Sequence, residues 1–145
     1  MNKHKPPRKT VAPIETELSV AYVKFGGNSC NGRYFFAFDK RHIHVPNRQS
    51  LPQGSKGVPM VFRLGKHVPK NFVITGLVST DPFDNLSPGV IYRSDGEKCR
   101  KIKVINTVAQ SGFFNIGILI TDTDKDEVIF CDPQVINRPG EGDNG

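Results

Sequence analysis

Apolar and polar positions alternate along most of this chain with a period of two. The run "KIKVINTV" (101–108) puts Ile102, Val104, Asn106 and Val108 on one face and Lys101, Lys103, Ile105 and Thr107 on the other. That is the pattern of a half-buried strand. "RYFFAF" (33–38) likewise sets Tyr34, Phe36 and Phe38 against Phe35 and Ala37. Further β-rich runs lie at 17–25, 58–64, 72–78, 89–92, 113–120 and 127–131. Turn clusters such as "GGNSCNG" (26–32) and the long loop "PNRQSLPQGSKG" (46–57) separate them. No window of helical length shows a 3.6 period free of glycine or proline, and 14 glycines and 11 prolines punctuate the short segments. The expectation is an all-β, antiparallel β-sandwich of about eight short strands, in one domain over residues 14–138.

The ends read differently. Residues 1–13 hold Pro6, Pro7 and Pro13 with no apolar periodicity, and are expected to form a flexible basic arm. Residues 139–145 are rich in glycine and acid and are expected to form a flexible tail. The net charge of +6 belongs mostly to the arm, where Lys3, Lys5, Arg8 and Lys9 meet no acid. The rest of the chain carries 16 basic and 14 acidic residues. That is a weaker nucleic-acid footprint than a wholly basic domain.

Within the body the signs segregate. From 39 to 70, seven basic residues including Lys40, Arg41, Arg48 and Lys56 face one acid; from 122 to 132, five acids face Lys125 alone. Segregation of this kind marks solvated faces or steers a partner. Cys30, Cys99 and Cys131 are odd in number and widely spaced, which argues against a disulfide framework or a thiolate zinc site. The N-terminus leads into no apolar signal segment, and the densest apolar run, 113–120, is far shorter than the ~20 residues of a membrane span. A cytoplasmic protein is expected.

Three stretches suggest chemistry. His42 and His44, in "FDKRHIHVPNR", share one face of a strand, but no acid follows until Asp81 and His67 sits beside Lys66. A metal site needs a third ligand, so the exposed face of an edge strand is the expectation, and Pro46 suits an edge. "TDTDKDE" (121–127) places Asp122, Asp124 and Asp126 like the first ligands of a calcium loop, but Glu127 stands where a glycine is required. A solvated turn between two strands is expected. "NGRYFFAFDK" interleaves aromatics with Arg33 and Lys40, the texture of a single-strand nucleic-acid platform. In a sandwich, three of its four aromatics are more simply core. No catalytic set is evident, and no cofactor or metal is expected.

"FVITGLVSTDP" (72–82), "KIKVINTVAQSGFFNIGILITDT" (101–123) and "CDPQVINRPG" (131–140) together resemble the DP-EP family of small, uncharacterised bacterial proteins. The resemblance covers about half the chain, roughly residues 70–140. It implies an immunoglobulin-like sandwich closed by an Asp-Pro-x-(Ile/Val)-Ile-Asn-x-Pro signature, here built on Asp132, Pro133, Asn137 and Pro139. It implies no activity, cofactor or catalytic residue. Physically the signature suits a turn followed by a short apolar pair at a sheet edge, with Asn137 bonding locally to the backbone. The functional expectation is a non-enzymatic protein that binds a protein partner or itself. The alternative is a nucleic-acid-binding, coat-like protein using Lys3, Lys5, Arg8, Lys9, Arg33, Lys40, Arg41, Arg48 and Lys56.

Overall fold

A computed structural model describes residues 11–40, 42–46, 48–79, 90–93, 99–108 and 112–137, with the backbone alone for 90–93, 112–115 and Gln134. The architecture is all-β, with no α-helix among the described residues and a single 3-10 turn at Arg48–Ser50. Ten strands form: β1 (Ile14–Tyr22), β2 (Tyr34–Phe38), β3 (His42–Val45), β4 (Val58–Leu64), β5 (Phe72–Ser79), β6 (Val90–Arg93), β7 (Cys99–Asn106), β8 (Gly112–Asp122), β9 (Glu127–Cys131) and β10 (Gln134–Asn137). The basic arm falls outside the described residues except for 11–13, as do the tail, Arg41 and Pro139.

One sheet runs β2-β1-β4-β7-β6. The other strands assemble around β8, which pairs with β10 through Gly112–Asn115, with β5 through Ile116–Asp122 and with β9 through Ile118–Asp122, while β3 adds to β10. Two pairings are parallel, β1 with β4 and β10 with β3, which corrects the wholly antiparallel expectation. Parallel neighbours need a crossover between them, and period-two patterning within each strand carries no trace of which strand crosses to which.

The alternation sorts inside from outside. In β1, Thr16, Leu18 and Val20 are buried. In β7, Ile102, Val104 and Asn106 are buried, as their shared face requires. Ile116, Ile118 and Ile120 of β8 join them, with Ile129 and Cys131 of β9, and both groups of strands contribute to one core cluster. Tyr34 is fully buried, Phe36 and Phe38 pack against the core as half-buried residues, and Phe35 stays exposed. Three of the four aromatics therefore face inward.

Two strand bounds shift from their expected places. β1 begins at Ile14 and ends at Tyr22 rather than running 17–25, because Lys24 and Gly26 take left-handed φ values of 76° and 84° in the turn. β7 stops at Asn106 because its side-chain Oδ1 accepts the Val108 N–H at 2.9 Å, and Val108 turns to a φ of 54°.

The signature segment departs most from expectation. β10 does not add to an edge; it lies between β3 and β8. Val135 is fully buried, and burying such a side chain contributes roughly 1.5–3 kcal/mol. Asn137 bonds across the two sheets. It reaches Asn106 on β7, donating from Nδ2 at 3.3 Å and accepting from Asn106 Nδ2 at 2.7 Å. Both side chains are buried, so each completes a partner that would otherwise be an unmet polar group in the core.

Candidate binding groove

Strand register assembles the outer face of the first sheet row by row. Glu17 lies opposite Arg63, and Arg63 opposite Lys101. Glu15 lies opposite Val61, and Val61 opposite Lys103; Pro59 then faces Ile105. Arg63 pairs with Glu17 of its own row at 3.1 Å and stands 3.9 Å from Glu15 of the next. Lys101 and Lys103 share the outward face of β7 two residues apart, roughly 6.5–7 Å along the strand. The sequence pattern had placed both on that outward face.

The loop 54–57 stands beside this face and turns it into a groove. Arg48 Nη2 donates to the Ser55 carbonyl at 2.7 Å, and the Ser55 N–H donates to the Pro52 carbonyl at 3.1 Å. Gly57 takes a φ of 142°, and a Cβ there would stand 2.2 Å from the Asn106 carbonyl oxygen, so only glycine brings the loop this close to β7. The groove measures about 740 Å³, within the usual range for ligand sites. Its floor is aliphatic: Val11, Pro13, Pro59, Val61 and Ile105. Lys56, Lys101 and Lys103 line it against one acid, Glu15. Among the described residues, Lys56 and Lys103 make no ion pair.

One further feature singles out the groove. Ser55 lines it and is 6% exposed, yet its hydroxyl has no hydrogen-bond partner among the described residues. Thr16 carries the same defect, but inside the core. A buried unmet hydroxyl costs about 1–3 kcal/mol.

The opposite end of the sheets carries the acidic turn. Asp122 is fully buried, which corrects the expectation of a solvated acid. It accepts hydrogen bonds from Tyr34 Oη at 2.5 Å, Asn71 Nδ2 at 2.8 Å and the Asp124 N–H at 3.0 Å. Burial alone would raise its pKa. The bonds from Tyr34, Asn71 and the backbone more than offset that and hold the carboxyl below the usual range. Tyr34 moves the other way: burial and the Asp122 bond push its hydroxyl well above the ordinary tyrosine value. Cys131 is held as an inert thiol, raised chiefly by burial and then by Asp132.

The remaining sequence candidates scatter. Arg33 forks onto Glu127, with Nη2 to Oε2 at 2.7 Å, and donates through Nε to the Cys30 carbonyl at 3.0 Å. It thereby ties the β1–β2 loop to β9. Lys40 donates to the Glu15 carbonyl at 2.6 Å, and Arg48 braces the groove loop. Of the basic candidates within the described residues, Lys56 alone lines the groove. Lys3, Lys5, Arg8, Lys9 and Arg41 lie outside the described residues. His42 and His44 occupy the exposed face of edge strand β3. His67 lies 3.2 Å from the Ser19 hydroxyl on the other sheet, and no metal-binding group of three residues occurs among the described residues. Asp132 and His42 border a second cavity of about 520 Å³ with Phe36 and Phe38.

Sequence reasoning missed Arg100. Its guanidinium donates to four backbone carbonyls, of Gly65, Val68, Pro69 and Phe72, at 2.7–3.1 Å, and so clamps the β4–β5 turn. Nothing in the local pattern marks it. No helix among the described residues is long and apolar enough to cross a membrane.

No family model and no curated protein matches the chain. Among solved structures, the inclusion body protein PixA from Burkholderia cenocepacia J2315 aligns over 88% of this chain and 98% of its own, at 9% identity and a TM-score of 0.42. A likeness at that level carries no argument about function.

Proposed function

We propose that this is a non-enzymatic, immunoglobulin-like β-sandwich that works by binding an acidic, partly aliphatic segment of a protein partner in the groove lined by Lys56, Lys101 and Lys103. The observation that carries the reading is the groove's composition: three lysines and an unmet buried hydroxyl around an aliphatic floor. Lysines attract carboxylates, and the floor offers apolar side chains a place to leave water. Membership of the DP-EP family belongs to the same reading, with the signature segment serving as β10.

Nucleic acid is the second reading. It is favoured by the basic composition of the segment that precedes Val11 in the sequence, with Lys3, Lys5, Arg8 and Lys9 and no acid. It is disfavoured by the floor. Bases stack on aromatic rings, and the groove lining contains none.

Fluorescence anisotropy tests the choice, with a labelled alternating Glu-Val peptide and a labelled oligothymidylate as probes at ~50 mM salt. The expected result is peptide binding by the wild type and loss of at least tenfold in affinity for Lys101→Glu/Lys103→Glu. Tighter binding of the oligonucleotide, with a steep salt dependence, would install the second reading. No binding of either probe would reject both.

A further inference from the structure

The acidic turn and the basic groove lie at opposite ends of β1. Glu15, near its start, lines the groove, and Tyr22, its last residue, meets the turn. Seven residue steps along the strand set the two features roughly 20–25 Å apart. At the turn, Lys125 folds back so that its Nζ sits 4.2 Å from the centre of the Tyr22 ring. The ring thus holds the ammonium, and Asp124 and Asp126 are exposed with no ion pair among the described residues. The tip is also held in shape. The Thr123 N–H and hydroxyl both donate to the Asn71 carbonyl, at 2.8 and 2.9 Å, and Asp126 takes a φ of 55° to close the turn. An ordered tip loses little further freedom on docking.

We infer that a second copy of this chain is a partner for the groove: the tip carrying Asp124 and Asp126 docks against Lys56, Lys101 and Lys103 of the next molecule. The inference rests on the reading of the groove as a site for acidic segments and names its occupant. Two carboxylates meet a groove lined by three lysines and one acid, Glu15. The residues flanking the tip, Thr121 and Val128, add a small uncharged surface for the aliphatic floor, with Val128 57% exposed. Because tip and groove are different patches at opposite ends, the contact is head-to-tail. Each added copy then leaves one groove and one tip unfilled, and the assembly grows as an open chain unless its rotation closes a ring.

Sedimentation velocity over a concentration series tests this at about 0.1 M and about 1 M salt, where the Debye length falls from about 10 to about 3 Å. The expected result for the wild type is a sedimentation coefficient that climbs with concentration at the lower salt and stays monomeric at the higher. Asp124→Asn/Asp126→Asn and Lys56→Gln/Lys103→Gln are each expected to remain monomeric, with urea midpoints matching the wild type. Mixed together, one supplies an intact groove and the other an intact tip, so they are expected to form a 1:1 complex that grows no further. A wild type that is monomeric throughout, variants that assemble like the wild type, or a mixture that forms no complex would each overturn the inference. The Glu-Val peptide separates the two failures. If the peptide binds but the chain does not assemble, the groove reading stands and this inference alone falls; if neither occurs, both fall.

Discussion

At the end of the sheets carrying the acidic turn, the buried polar group is a charge: Asp122, held by Tyr34 and Asn71. At the end carrying the groove it is a neutral pair, Asn106 with Asn137. Each joins strands of different sheets, β2 to β8 at one end and β7 to β10 at the other. Each also fixes a neighbouring backbone, since Asp122 receives the Asp124 N–H and Asn106 receives the Val108 N–H. The difference lies in what can undo them. A buried carboxylate loses its bonding pattern when protonated, whereas an amide pair has no proton to gain in the same range. The acidic tip is thus tied to a pH-sensitive support and the groove to a pH-insensitive one.

The largest expected effect comes from removing the groove-end pin together with its strand. Deleting 132–145 takes away β10, leaves β3 without its strand partner, empties the site of Val135 and strands Asn106. Losing Val135 costs roughly 1.5–3 kcal/mol, and leaving Asn106 unmet about 1–3 kcal/mol. Set against a typical total of ~5–15 kcal/mol, the truncated chain is expected to lose cooperative urea unfolding. Deleting 1–10 is expected to leave the midpoint nearly unchanged. Equal midpoints for the two truncations would show that β10 is dispensable.

Substitution at the pins sharpens the comparison. Asp122→Ala leaves a buried donor on Tyr34 and a half-buried donor on Asn71 without their acceptor. The expected loss is about 2–6 kcal/mol at neutral pH. Asn137→Ala leaves one amide unmet, and the expected loss is about 1–3 kcal/mol. Denaturant melts of both variants check the order, and a smaller loss at Asp122 would reverse it.

The pH dependence should separate the ends as well. Asp122 has its folded pKa lowered, by hydrogen bonds that outweigh burial. Its contribution is therefore complete above the unfolded value of about 3.9 and is lost as pH falls from there through the folded value. Between pH 6 and about pH 4 this group is expected to add no slope; below that it should. The acid limb is expected to persist in Asn137→Ala and to shrink in Asp122→Asn. An unchanged limb in Asp122→Asn would place the acid sensitivity elsewhere. The smallest expected effect is a gain: Ser55→Ala removes an unmet buried hydroxyl and is expected to raise stability by up to about 1 kcal/mol. A loss there would show that the hydroxyl has a partner in solution.

These supports were unequally legible in the sequence. The alternation at 101–108 put Lys101 and Lys103 outside and Asn106 among the core residues. A polar side chain on an apolar face is itself a sign of a buried partner, but not of which one. Asn137 became that partner only through the placement of β10 beside β8, a non-local pairing that period-two patterning does not encode. Asp122 read as solvated because its neighbours Asp124 and Asp126 are, while the two groups that hold it, Tyr34 and Asn71, stand 88 and 51 residues away. The groove was invisible for the same reason. Lys56 drew notice as part of a basic block, and it takes the β4–β7 pairing to bring it to Lys101 and Lys103. Most of that block's other described members instead hold the chain's own carbonyls or acids, since a side chain with several donors binds the acceptors nearest it.

Backbone amide shift mapping locates the bound segment residue by residue: record the nitrogen–proton spectrum of the labelled protein while titrating the unlabelled Glu-Val peptide at low salt. The expected perturbations cluster at 54–61 and 101–105, together with Val11 and Glu15, and vanish in Lys101→Glu/Lys103→Glu. Perturbations centred on Asn28, Phe36, Phe38 and Asp132 around the second cavity, or on the uncharged outer face at Val78, Val128 and Phe130, would contradict the groove reading, as would a spectrum that does not change.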